Sequence, residues 1–91
     1  MKQLPNNIQA YKKTPEFNQD SIPKGLLNDH QTMQNVWGVI EILEGELEYI
    51  IQTDPVEVVK LSKSLRGIVE PQQLHYVKTN GPVRFYVEFY K

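Results

Sequence analysis

Two histidines, His30 and His75, are the only side chains in this 91-residue sequence whose ordinary titration falls near neutral pH. Imidazole is the commonest metal ligand and the usual proton shuttle at that pH, so these rings are the first candidates for chemistry. His30 lies in Asp29-His30-Gln31-Thr32, and His75 in Gln72-Gln73-Leu74-His75-Tyr76-Val77. Their wide separation matches no short-range ligand motif, so spacing alone does not pair them. A lone histidine on a strand is more often a hydrogen-bonded structural residue. There is no cysteine, which excludes a disulfide framework, a zinc ribbon and a thiol nucleophile. No Gly-rich phosphate loop, serine nucleophile motif or His-Glu-x-x-His is present.

The elements that must position the two rings are short strands. Apolar residues come in brief runs separated by Gly, Pro, Asn and Asp, and no stretch has the period of a long amphipathic helix. Residues 36–43 and 46–51 flank Glu44-Gly45 and read as a hairpin. Further strands are expected at 56–61, 67–69, 74–79 and 83–90, with turns at Thr53-Asp54-Pro55 and Asn80-Gly81-Pro82. Residues 8–13 read as a less regular strand and 14–23 as an extended segment. The last strand alternates cleanly: Val83, Phe85, Val87 and Phe89 share one face, Arg84, Tyr86, Glu88 and Tyr90 the other. At least six short strands with tight turns imply an all-β sandwich or barrel, which protects strand edges.

Length allows one domain and one site. The net charge of −1, well mixed along the chain, leaves no basic stripe for nucleic acid. The first residues carry no apolar leader. The longest apolar run, 36–43, is too short for a bilayer and holds Glu41. The expectation is a cytoplasmic protein without membrane contact.

The order of motifs along the chain carries a resemblance. His30-Gln31-Thr32, Glu44-Gly45-Glu46-Leu47 and Gly67 through Pro71 to His75 resemble the two motifs of cupins. More closely, the chain resembles the TehB-like N-terminal domain family, which includes stand-alone proteins of the YeaR kind. The matching pieces are Leu4-Pro5, Tyr11-Lys12-Lys13-Thr14-Pro15-Glu16-Phe17, Pro23-Lys24-Gly25-Leu26-Leu27, His30-Gln31-Thr32, Val36-Trp37-Gly38, Leu43-Glu44-Gly45, Gly67-Ile68-Val69, Pro71, His75 and Gly81-Pro82-Val83-Arg84-Phe85-Tyr86-Val87-Glu88-Phe89-Tyr90. This resemblance implies a single-domain, cupin-like double-stranded β-helix (a jelly-roll barrel) over residues 1–91, with 1–25 as an extended arm packed on it. Departures matter: Thr32 stands where a second cupin histidine would be, and Val36, Trp37 or Gly38 where the acid would fall. At most two of the four usual ligands remain.

In the cupin topology the last strand lies beside the strand that normally supplies the acid. The resemblance therefore offers Glu88 as a replacement, giving a His30–His75–Glu88 metal site with open positions, suited to zinc or iron. Strand parity then turns Arg84, Tyr86 and Tyr90 inward as well. The inward orientation is expected, because a lumen lined by Arg84, Tyr86 and Glu88 resembles a site. The apolar face would point outward, to be covered by the arm or by a partner subunit in a homodimer. With the opposite parity, Glu88 is a surface carboxylate. Trp37 and Tyr49 are candidates for the pocket wall, with core filling as the alternative.

Some relatives join this domain to a methyltransferase, but the chain has no Gly-x-Gly turn for a nucleotide-like cofactor and is not expected to methylate by itself. The expected function is a small metal-binding domain that binds or senses a small anion or oxidised species in a tellurite-type stress response, with Arg84 as anion contact. A metal-dependent enzyme of dioxygenase type using the same pocket is one alternative. A non-catalytic interaction module, with structural histidines, is the other.

Overall fold

The computed structural model describes residues 1–91. The strands are β1 (Ala10–Lys13), β2 (Phe17–Asn18), β3 (Trp37–Gly45), β4 (Leu47–Ile51), β5 (Glu57–Leu61), β6 (Gly67–Val69), β7 (His75–Lys78) and β8 (Val83–Tyr90). One 3-10 turn, Lys24–Leu27, is the only helical element. All strand pairs are antiparallel and fall into two sheets. The first runs β1-β8-β3-β6, with β2 also pairing β8; the second runs β5-β4-β7. The expected all-β architecture is met in this two-sheet, jelly-roll-like form, whose wall is not closed into a continuous barrel.

The expected hairpin of β3 with β4 does not form. β3 pairs β8 and β6, while β4 pairs β5 and β7, so the chain changes sheets at Gly45 and Glu46. Gly45 makes the corner with φ of 78°, a left-handed conformation open to glycine at little cost. The physical reason lies in the side chains. Placing β3 and β4 in facing sheets lets Ile40 and Ile42 pack against Leu47, Tyr49 and Ile51 across one core.

β8 has the opposite parity to the one expected. Val83, Phe85 and Val87 are buried in that core, and Phe89 packs on its edge. Arg84, Tyr86, Glu88 and Tyr90 therefore face outward. Burying a large apolar side chain stabilises by about 1.5–3 kcal/mol, whereas an inward guanidinium and carboxylate would lose hydration without matched partners. The apolar face of β8 is thus covered within the chain. β1 and β2 bring residues 10–18 of the expected arm onto β8, with Phe17 stacked edge-on against Phe85 at 5.6 Å.

Candidate functional site

His30 and His75 meet. Their backbones form an isolated antiparallel bridge: His30 N donates to His75 O at 2.8 Å, and His75 N to His30 O at 2.9 Å. The bridge extends the free edge of β7 and brings the rings together edge-on. His30 Nδ1 lies 3.4 Å from His75 Nε2. His75 Nδ1 donates to the Gln73 carbonyl at 2.8 Å, which fixes the ring with Nε2 toward His30. Tyr49 lies edge-on beneath His75 at 5.7 Å, its hydroxyl donating to the Ile68 carbonyl at 2.9 Å.

The paired rings stand in the wall of a cavity of about 190 Å³ between the two sheets. Val69, Phe85 and Val87 line it from the first sheet and Val77 from the second; Phe17 and Leu26 close it from the arm and the 3-10 turn. Burial pushes both imidazoles below their usual pKa. For His75 the bond to the Gln73 carbonyl opposes that shift and the neighbouring His30 adds to it. Both rings are therefore neutral at pH 7.

Sequence reasoning missed Thr32, which is buried. Its hydroxyl donates to the Val36 carbonyl at 2.7 Å and accepts from Gln72 N at 3.2 Å. It ties the segment after His30 to the loop before His75, and Gln72 takes a φ of 61° there. The departure from the cupin pattern at this position was the available signal: where a ligand is replaced by a short hydroxyl residue, a local backbone clamp is the natural role.

The remaining candidates separate from the pair. Glu88 lies on the outer face of β8, half-buried, accepting a 3.4 Å contact from the Tyr90 hydroxyl. It lies apart from the histidine pair, and no group of three His, Cys, Asp or Glu side chains is placed to hold a metal ion. Arg84 is held outside by a two-bond pair with Glu16 at 2.7 and 3.0 Å and by Glu44 at 3.0 Å. Its charge is answered by carboxylates and faces away from the cavity. The Arg84 guanidinium in turn holds the Glu16 carboxyl below its ordinary range. Tyr86 lies outside under the Lys13 ammonium, 5.3 Å from its ring centre. Trp37 is half-buried and shares the outer side of β3, opposite Gly38, which lines the cavity. Tyr49 is fully buried core, where burial first and the charges of Glu70 and Glu57 next push its phenol pKa up.

The family model of the TehB-like domain matches residues 12–87. The chain belongs to the TehB-like domain family. This TehB-like domain is 28% identical over 79 residues to a Haemophilus influenzae protein named probable S-adenosyl-L-methionine-dependent methyltransferase TehB. The match covers 82% of this chain and 28% of that protein, so the chain spans less than a third of the length of the curated relatives it matches. A crystal structure of TehB from Haemophilus influenzae superposes with a TM-score of 0.83 at 26% identity, covering 93% of this chain and 32% of the other. A crystal structure of a protein from Escherichia coli K12 superposes with a TM-score of 0.88 at 19% identity, covering 100% and 97% of the two chains. The second likeness is one of fold. No helix of this TehB-like domain is long and apolar enough to cross a membrane.

Proposed function

We propose that this TehB-like domain is a binding module in which His30 and His75 hold a divalent metal ion, zinc or iron, at the wall of the cavity. There it would capture or sense a small oxidised species in a tellurite-type stress response. The observation that carries this reading is the 3.4 Å separation of His30 Nδ1 and His75 Nε2. Two bonds of about 2.05 Å spanning 3.4 Å open an angle of about 110°, that of tetrahedral coordination. Both rings are held neutral by burial, the state a ligand nitrogen needs. The Gln73 carbonyl on His75 Nδ1 is the kind of outer partner that orients a ligating imidazole.

Two protein ligands leave positions for water or for a molecule from the cavity. A bound ion would supply a positive charge and Lewis acidity at that wall. With Arg84 occupied by Glu16 and Glu44, the charge that draws an oxyanion is the ion's own. The test is metal content and zinc titration of protein purified without a polyhistidine tag, for wild type, His30→Ala and His75→Ala. One ion per chain in the wild type, lost in both variants, supports the reading. Equal occupancy in wild type and variants, or none in the wild type with zinc or iron(II) in excess, makes the pair structural.

A further inference from the structure

Four polar side chains line the cavity, Thr14, His30, Thr32 and His75. Three have their hydrogen bonds within the protein. Thr14 Oγ1 donates to the Pro15 carbonyl at 2.9 Å and accepts from Val87 N at 3.0 Å. Thr32 Oγ1 serves the Val36 carbonyl and Gln72 N. His75 uses Nδ1 on Gln73 and Nε2 on His30. His30, which lines both this cavity and an adjoining groove with Tyr11, Gln31 and Met33, has no hydrogen-bond partner within the protein at Nε2.

In the metal-free protein the hydrogen-bond partners imply where the protons sit. A carbonyl only accepts, so His75 Nδ1 carries the proton and Nε2 of that neutral ring is a lone pair. The proton between the rings then belongs to His30 Nδ1, which leaves His30 Nε2 as an acceptor. No charged side chain lines the cavity, so an ionic guest would lose its hydration without compensation. Its volume of about 190 Å³ exceeds the roughly 150 Å³ of an apolar cavity known to take benzene.

We propose that the metal-free pocket binds an uncharged molecule of about one six-membered ring, carrying a single hydroxyl-type donor that His30 Nε2 receives. The ring fills the space between Val69, Val77, Phe85 and Val87, and the donor continues the relay from His30 through His75 to the Gln73 carbonyl. This goes beyond the metal reading and does not depend on it, since no ion takes part.

The experiment is an NMR titration in EDTA with phenol, anisole and benzoate as probes. Phenol is expected to shift the methyl resonances of Val69, Val77 and Val87 saturably. It should bind about five- to tenfold more tightly than anisole, the contribution of one hydrogen bond. Benzoate should not bind. His30→Phe keeps a ring at that position and removes the acceptor, so phenol and anisole should then bind alike. If that variant does not fold, the wild-type His30 Nε2 nitrogen resonance decides: saturating phenol should move it, as an accepted hydrogen bond does, and anisole should not. The proposal is overturned by no saturable phenol shift at those methyls, by equal affinity of phenol and anisole for the wild type, or by benzoate binding more tightly than phenol. Because EDTA is present, a failed zinc titration leaves these outcomes unchanged.

Discussion

His30 and His75, separated by 45 positions, are joined three times: by two backbone hydrogen bonds of 2.8 and 2.9 Å and by a ring contact of 3.4 Å. The backbone bridge holds the rings in register without help from any ligand. Chemistry at the pair is therefore separable from folding of the sheet that carries it.

The first consequence concerns pH. Both rings titrate below the usual 6.5, so the unfolded chain takes up protons before the folded one as pH falls. Stability from this source is complete above about pH 6.5 and declines as pH falls through the folded-state values. Urea midpoints measured at about pH 7.5 and pH 5.5 should show the lower value in acid. His75→Gln should flatten that difference; an unchanged difference would place its origin elsewhere.

Glu88 faces outward, so Glu88→Gln should leave zinc affinity as Glu41→Gln leaves it. His75→Ala should cost at least about tenfold, as loss of a ligand or of its orienting partner does. Isothermal titration compares the three. A selective loss in Glu88→Gln would mean that the β8 face turns inward in solution.

Arg84 fastens the arm through Glu16 and is paired with Glu44 as well. Arg84→Ala should speed amide hydrogen exchange at Phe17 and Asn18, whose strand pairs Phe85 and Arg84, while zinc binding is unchanged. The groups are exposed, so overall stability should change little. Loss of metal or anion binding in this variant would return Arg84 to the site.

Gly45 carries the sheet change. A methyl group there would meet the Pro82 carbonyl oxygen, on a backbone already at φ of 78°. Gly45→Ala should destabilise by more than about 2 kcal/mol, since left-handed strain and a backbone clash act together. Gly81→Ala, with open space around it, should stay within about 0.5 kcal/mol of wild type. Urea denaturation of the two variants gives the comparison.

The sequence by itself determined the strand content, the two-faced character of β8 and the family. Alternation over 83–90 and Gly or Pro at the turns are local signals that persist whatever the strand packs against. It also singled out His30 and His75, because no other side chain offers imidazole. Only the tertiary structure decided which face of β8 is inside, that β3 and β4 lie in different sheets, and that Glu16 and Glu44 take Arg84. A period of two says that a strand has two unlike faces, and the partner sheet chooses the buried one. The decisive partners here are remote: Arg84 and Glu16 are 68 residues apart, and the histidines 45. An inward Glu88 followed from likeness to a lumen. The core followed from the larger free energy of burying Val83, Phe85 and Val87 together.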